Sequence, residues 1–235
     1  GVSSMDASAA WVMVSDANGT ASWQTLGAAA TNAWGLLGNA GTNPATNFVG
    51  TTDAQPLRFR TGNAFSGQVG NTATALVSYG LSAGAAVTTL AARVTAIGAS
   101  AGAANTDGDD NTYVGANAGA AMTTSFFSTY VGSSAGRFAS ASNNALFGYL
   151  AGGLGVMTGG LNTFLGSQSG SQNTAGNGNT FVGFSAGSST TSGSQNVFIG
   201  REAGSAALTV SASVFVGSFA GNVTTVSGNT FVGGN

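Results

Sequence analysis

The sequence predicts an all-β protein: a parallel β-solenoid or β-roll of about ten coils of 17 residues, preceded by a small module rich in β-hairpins. Three observations lead to this prediction. A nine-residue motif recurs at a nearly constant interval, the residues that precede its first glycine are aromatic and apolar, and only 5% of the chain is charged. Self-similarity with a fixed period is the signature of repeat architectures, in which each unit packs against its neighbours along one axis.

The repeated motif is Asn-Thr-Phe-Val-Gly-x-x-Ala-Gly, and it recurs through the second two-thirds of the chain. The first glycines of successive copies are 16 to 18 residues apart. They are Gly80, Gly98, Gly115, Gly132, Gly148, Gly166, Gly183, Gly200, Gly217 and Gly233. A unit of this size has the length of one solenoid coil, so nine intervals of about 4.8 Å predict a rod roughly 43 Å long.

Each copy of the motif predicts a short strand that ends at its first glycine. The residue before that glycine is apolar or aromatic in all ten copies, and the residue one earlier is aromatic in seven. β-Branched and aromatic residues in short runs bounded by glycine are typical of strands. The second glycine of the motif predicts a tight corner with positive φ.

Stacked coils would place identical side chains above one another. The asparagines that open the motif would then form an amide ladder, and the Phe and Tyr residues an aromatic ladder, as in other stacked strands. The amide ladder would contain Asn111, Asn144, Asn162, Asn179, Asn196 and Asn229. A ladder of like charges would repel itself at this spacing, which explains why the chain carries so few charged residues.

Both faces of the predicted strands are apolar in several copies. Adjacent residues of a strand face opposite sides, yet Phe181 and Val182 are both apolar, as are Phe198 and Ile199. A solenoid buries one face inside itself, so something must cover the other. We expect other copies of the chain to cover it in an oligomeric rod. The alternative is a flattened roll whose own second layer covers that face.

The period divides the chain into two parts. Residues 1–72 lack it and are expected to form the hairpin module, whereas residues 73–235 carry it and form the solenoid domain. Within Ala85–Ile97, apolar residues also recur three and four apart, as they do on a helix. Gly80 and Gly98 keep the repeat spacing on either side of this segment, which favours strand continuity over a helix.

Two hairpins are predicted in the N-terminal module. The first joins Trp11–Ser15 to Thr20–Leu26 through a turn that contains Asn-Gly. The second joins Asn47–Thr52 to Leu57–Thr61. The last of these segments alternates apolar residues with arginines, which indicates a strand buried on one face.

Composition excludes several classes of function. The chain has no His, Cys or Lys, which excludes zinc sites of the usual kind, imidazole or thiolate catalysis and lysine-dependent phosphate loops. Five scattered arginines and a net charge of −2 give no electrostatic footprint for nucleic acid. There is no apolar run long enough for a membrane-spanning helix. We therefore expect no catalysis, cofactor, metal, nucleic-acid partner or membrane insertion.

Few side chains are candidates for chemistry. The segment Asp107–Asp110 is an acidic cluster and carboxylates bind Ca²⁺, but it lacks the spacing of calcium loops, so a polar turn is favoured. Glu202 is the only glutamate, which disfavours paired carboxylates for glycoside hydrolysis. A threonine row three residues before the glycines suggests an ice-binding array, but Ala145, Val197 and Val214 interrupt it, so structural packing is favoured.

Three aromatic residues are the candidate binding residues. Tyr149, Phe184 and Phe219 follow repeat glycines, in the corner where Arg201 and Glu202 also occur. The charged pair indicates that this corner is exposed, so the aromatic rings are candidates for stacking on sugars. Contacts between chains, or capping of the stack, are the structural alternatives.

The motif resembles repeats of bacterial and phage tail-fibre-like proteins, many of which end in an intramolecular chaperone domain of the endosialidase tail-spike type. It is also similar to the head repeat of trimeric autotransporter adhesins, a left-handed parallel β-roll with a shorter unit. Trp11–Gln24 and Asn39–Arg60 resemble segments that precede such repeats. The resemblance covers most of the chain and implies a homotrimeric fibre; the chaperone domain is not in this sequence.

These observations lead us to expect a structural fibre protein, serving as a shaft or adhesive segment of a phage-like tail fibre or extracellular filament. Its expected location is outside the cell, on the cell surface or on a virion or tail-like particle. One alternative is a cell-surface adhesin head that binds a receptor or glycan through exposed aromatic residues. Another is the subunit of a self-assembling extracellular filament.

Overall fold

A computed structural model describes residues 11–15, 18–25, 42–43, 45, 48–53, 55–70, 75–88 and 93–234. Every regular element of this part of the chain is a β-strand. The chain divides into two compact units, Gly1–Gly50 and Thr51–Asn235. The first unit contains an antiparallel hairpin of β1 (Trp11–Ser15) and β2 (Ala21–Thr25), which is the first hairpin that the sequence predicts.

The second unit holds one sheet of 12 strands in which each strand pairs with the next along the chain. Its strands are β3 (Leu57–Thr61), β4 (Ala64–Val69), β5 (Val77–Tyr79), β6 (Thr95–Ile97), β7 (Thr112–Val114), β8 (Thr129–Val131), β9 (Ala145–Phe147), β10 (Thr163–Leu165), β11 (Thr180–Val182), β12 (Val197–Ile199), β13 (Val214–Val216) and β14 (Thr230–Val232).

Strands β5 to β14 confirm the predicted parallel β-solenoid. Each pairs with the next in parallel and in the same register, so that Phe164 lies beside Phe181 and Phe181 beside Phe198. Paired residues are 16 to 18 positions apart in sequence, which is the period of the motif. In the segment with helical spacing, the residues that the structure describes contain no helix, and its last three form β6.

The second predicted hairpin is wrong in one of its strands. Leu57–Thr61 is a strand, but its antiparallel partner is Ala64–Val69 rather than Asn47–Thr52, and residues 48–52 form no strand. The two residues between the strands, Gly62 and Asn63, have φ of 54° and 63°. Positive φ at both central residues matches the twist of a two-residue hairpin, which explains why the chain turns here.

This hairpin belongs to the solenoid sheet rather than to a separate module. Strand β4 pairs antiparallel with β5, and β3 forms the edge of the sheet. The division into the two compact units falls between Gly50 and Thr51, and the hairpin of β3 and β4 lies in the second unit.

The middle residue of each three-residue strand points into the solenoid and is fully buried from β5 to β13. Four consecutive phenylalanines form a stack, with ring centroids 4.5 to 4.9 Å apart and planes within 7° of parallel. They are Phe164, Phe181, Phe198 and Phe215. The aromatic ladder is thus confirmed on the inner face, and the apolar residue just before the glycine faces outward.

The amide ladder is also present and joins successive coils from Asn111 to Asn229. The Asn162 side-chain oxygen accepts a hydrogen bond from the backbone N–H of Asn179 at 2.9 Å, and its Nδ2 donates to the Gly176 carbonyl at 2.9 Å. Asn179 repeats both bonds one coil further on. Where Ser213 replaces asparagine, its hydroxyl accepts the backbone N–H of Asn229 instead. These bonds satisfy buried backbone groups that have no other partner in the turn.

The two glycine rows are required for different reasons. A Cβ on Gly166 would lie 2.3 Å from the carbonyl oxygen of Gly183, because the backbones of adjacent coils touch at this row. A Cβ on Gly187 would lie 2.5 Å from the ring of Phe181, because the second glycine of the motif packs against the buried aromatic residue. The positive φ that the sequence predicts for the second glycine is present, at 57° for Gly187, and Gly166 of the first row also has a positive φ, of 147°.

A matched pair of glycine substitutions separates packing from backbone strain. Gly178 has φ of 65°, close to that of Gly187, but its nearest neighbour is the Gln195 side chain at 3.9 Å. Gly178→Ala should cost about 1 kcal/mol from strain. Gly187→Ala should cost about 1–3 kcal/mol more, because the methyl group overpacks the ring. Urea denaturation followed by circular dichroism measures the difference.

Phe181→Leu provides the control for this pair. Leucine lacks the ring edge that meets the new methyl group, so Gly187→Ala should cost less in the Phe181→Leu background than in the native chain. Equal losses for Gly178→Ala and Gly187→Ala would contradict the packing assigned to the second glycine row.

Candidate functional site

The acidic segment Asp107–Asp110 forms a bend that is held by its own neighbours. The Asn105 amide accepts the backbone N–H of Gly108 at 2.8 Å and donates to the Gly108 carbonyl at 3.1 Å. Asp110 forms a bidentate ion pair with Arg93 of the preceding coil, with 2.8 Å between Asp110 Oδ2 and Arg93 Nη2. The guanidinium group lowers the pKa of Asp110. The carboxylate is therefore committed to a contact between coils.

Metal-binding and acid–base groups are sparse in the part of the chain that the structure describes. No cluster there brings together three or more His, Cys, Asp or Glu residues that could hold a metal ion. Glu202 lies 2.9 Å from the guanidinium of Arg201. An open depression beside the last described coil is lined by Phe219, Asn222 and Phe231 among others, and no titratable side chain lines it.

Among the described residues, two titratable groups are buried in the core. Burial raises the pKa of both Tyr113 and Tyr130, the latter to about 12. The Tyr113 hydroxyl accepts a hydrogen bond from Asn105 Nδ2 at 3.3 Å. Ser128 and Asn144 oppose the rise at Tyr130, but neither reaches its hydroxyl with the geometry of a hydrogen bond. Both phenols are enclosed by packed side chains, so they are structural groups rather than a reactive site.

The residues directly after the first glycines form a row along one corner of the solenoid, which we call the corner row. Backbone hydrogen bonds between coils align this row. The N–H of Gln168 donates to the Tyr149 carbonyl at 2.7 Å, and the N–H of Glu202 donates to the Phe184 carbonyl at 2.8 Å. The row contains Leu81, Ala99, Ala116, Ser133, Tyr149, Ser167, Phe184, Arg201 and Ser218. Tyr149 and Phe184 are 52% and 50% exposed, and one coil separates them.

The third candidate aromatic residue lies elsewhere. Phe219 is the second residue after Gly217 rather than the first, and it has φ of 59°. The Arg201 guanidinium covers its ring at 5.0 Å from the centroid. The structure therefore brings Tyr149 and Phe184 into one row and places Phe219 in the neighbouring row, beneath an arginine.

A second surface feature is the outer side of β5 to β14, which we call the strand face. It consists of the first and third residues of each strand, which are half-buried or exposed along the whole sheet. No residue of these ten strands is charged. Leu165 and Ile199 are among its exposed large apolar side chains. The second apolar face that the sequence predicts is thus present on the surface of the single chain.

Some surface residues escape a search that looks only for motif residues. Arg93 and Asp110 occupy the same position in adjacent copies of the repeat, so opposite charges 17 residues apart are a readable signal. Phe127 and Leu161 are 63% and 68% exposed and have φ of 55° and 61°, at a corner position where two other coils have Gly178 and Gly228. Phenylalanine and leucine give no sign in the sequence of a positive φ, because bulky residues rarely adopt that backbone conformation.

Comparison with known proteins found no matching family model, no matching curated protein and no matching solved structure. The solenoid, the strand face and the corner row are therefore the features that can indicate a function.

A search for membrane-spanning segments in the described residues finds no helix of sufficient length and apolar character to cross a bilayer.

The buried tyrosines predict a loss of stability at high pH. Folding raises the pKa values of both phenols. Their contribution to the free energy of unfolding is therefore fully present below the unfolded tyrosine pKa of about 10, and it decreases as the pH rises from there. For Tyr130 the decline continues to its folded pKa of about 12. Tyr130→Phe should flatten this decline by roughly 1.4 kcal/mol per pH unit. The test compares the urea midpoints of the native chain and the variant from about pH 9 to about pH 12, a range that begins just below the unfolded tyrosine pKa.

Tyr113→Phe is the matched comparison. It also removes a buried phenol, but it leaves the Asn105 amide without one acceptor and should cost about 1 kcal/mol at neutral pH. Tyr130→Phe should keep or raise neutral-pH stability, because it removes a buried hydroxyl without a partner. An alkaline decline that is identical in the native chain and both variants would refute the assignment.

Proposed function

We propose that this chain is a structural, non-catalytic segment of a fibre, in which several copies associate side by side along their strand faces. The observation that carries the proposal is the strand face of β5 to β14, which carries no charge and has an unbroken row of apolar or aromatic residues at the third position of each strand. Contiguous apolar surface of this extent on a soluble protein marks a site of interaction. The partner that the repeat itself supplies is an identical strand face on another copy.

The contacts inside the solenoid are those expected of a stiff rod. Backbone hydrogen bonds join each coil to the next, the amide ladder adds contacts from Asn111 onward, and stacked rings add contacts from Phe164 onward. Such contacts repeat along the stack, so stiffness does not depend on one local feature.

The distribution of charge supports lateral association. The described charged residues of the solenoid, such as Arg93, Asp110 and Arg137, all lie in the turns between strands. At the edge of the sheet, β3 carries the exposed residues Arg58 and Arg60. Charged side chains on an edge strand oppose pairing with another strand. This favours side-by-side assembly over the alternative of an end-to-end filament of stacked coils.

We further propose a homotrimer, as part of an extracellular fibre of the tail-fibre or adhesin type. Support for this finer statement comes from the resemblance of the Asn-Thr-Phe-Val-Gly-x-x-Ala-Gly motif to the repeats of those proteins. Three copies around a common axis would cover the strand face of each chain. We propose no catalytic role, because the described surface presents aromatic and aliphatic side chains but few acid–base groups.

The oligomeric mass tests this proposal. Size-exclusion chromatography with light scattering should give three times the chain mass of 22.6 kDa. The double variant Val182→Arg/Ile199→Arg should give a folded species of lower mass. The reason is that unpaired guanidinium groups buried between copies cost several kcal/mol.

Gln172→Arg is the control, because it adds the same charge at an exposed position outside the strand face. It should keep the native mass. A folded native chain with the mass of a single copy would contradict the proposal, as would equal masses for the double variant and the control.

A further inference from the structure

We propose that the corner row binds a linear β-1,4-linked polysaccharide that lies along the rod, with sugar rings against Tyr149 and Phe184. This binding function goes beyond the structural role proposed above and does not depend on the oligomeric state. It rests on the spacing of the two rings, on their exposure and on the polar groups beside them.

The spacing of the two rings is set by the backbone. Tyr149, Ser167 and Phe184 occupy equivalent positions in three successive coils, joined by hydrogen bonds from Gln168 to Tyr149 and from Ser185 to Ser167. Two coil intervals place the rings about 9.6 Å apart along the axis. A β-1,4-linked chain is a flat ribbon that presents the same face once per disaccharide, and the length of a disaccharide is close to this interval.

The rings of Tyr149 and Phe184 are available to a ligand because they are too far apart to pack against each other. The inner phenylalanines stack at 4.5 to 4.9 Å. At about twice that spacing, two rings lie outside the range of aromatic pairing. Among the described aromatic residues, neither Tyr149 nor Phe184 has a ring contact with another, and each leaves about half of its surface exposed. The C–H face of a sugar ring supplies the apolar partner that is missing.

Polar groups flank the rings at the heights where sugar hydroxyls would lie. Ser167 occupies the coil between Tyr149 and Phe184, and Arg201 follows in the next coil. Arg201 is held between the Phe219 ring, 5.0 Å from its guanidinium carbon, and the Glu202 carboxylate at 2.9 Å. Its side chain is nevertheless 62% exposed. A positioned but accessible guanidinium group can donate to hydroxyl groups without losing much conformational freedom on binding.

The other exposed aromatic residues lack this arrangement. Phe126 and Phe127 are adjacent in sequence, their ring centroids are 6.3 Å apart, and their planes are tilted by 43°. They form a local pair rather than a row, so they offer no repeated platform along the rod. Phe127 is 63% exposed and therefore serves as a control of equal or greater accessibility.

Isothermal titration of the full chain with cellohexaose and chitohexaose tests the proposal. At least one of them should bind, and Tyr149→Ala and Phe184→Ala should each weaken binding about ten-fold, because each removes one stacking platform. Phe127→Ala should leave the affinity unchanged. Cellobiose should bind more weakly than cellohexaose, because a disaccharide cannot cover both rings.

Three binding results would overturn the proposal: neither hexasaccharide binds the native chain, both affinities survive in the Tyr149→Ala/Phe184→Ala double variant, or Phe127→Ala weakens binding as much as the corner-row variants do. Light scattering on the same preparations keeps this test separate from the fibre proposal. A fall in oligomeric mass for the double variant would assign the corner row to contacts between chains and also overturn glycan binding.

Discussion

The constraint on which the structure depends is the direct contact between the backbones of successive coils at the first glycine of each motif. A methyl group at Gly166 would enter the carbonyl of Gly183, so only glycine lets adjacent coils approach to strand-pairing distance at this row. Once that distance is set, each inner side chain meets its own counterpart in the next coil. Flat rings and carboxamides satisfy this condition because both can repeat without repulsion, whereas a repeated charge cannot.

The same constraint connects the interior to the surface. Because every strand has only three residues and its middle residue points inward, the first and third residues must point outward. Apolar or aromatic residues at the third position, beside threonine, valine or alanine at the first, form the strand face from β5 to β14. Between β5 and β14 the described charged residues lie in the turns, where Arg93 and Asp110 meet as opposite partners in adjacent coils. Thus one stacking rule accounts for the inner ladders, the apolar outer face and the position of the charged residues.

Much of this architecture could be predicted from sequence because it is periodic. The strands, the parallel register and both ladders follow from a motif whose copies must align with one another. The inward choice of Phe181 over Val182 could not be derived from hydrophobicity, because both are apolar; the room that Gly187 leaves for a ring decides it. The partner of Leu57–Thr61 was missed because the Gly-Asn turn lies outside the period. Of the candidate binding residues, Tyr149 and Phe184 directly follow their repeat glycines, whereas Phe219 is the second residue after Gly217. This difference of one position puts Phe219 in the neighbouring row.

Distances between spin labels test the stacked-coil account most directly, and the chain has no native cysteine to interfere. Double electron–electron resonance on Ser133→Cys/Ser218→Cys and Ala99→Cys/Ser218→Cys, diluted with unlabelled chain, compares pairs five and seven coils apart in the corner row. The account predicts narrow distributions near 24 Å and 34 Å, at about 4.8 Å per coil. Equal distances for the two pairs, or a shorter distance for the pair with more intervening coils, would contradict it.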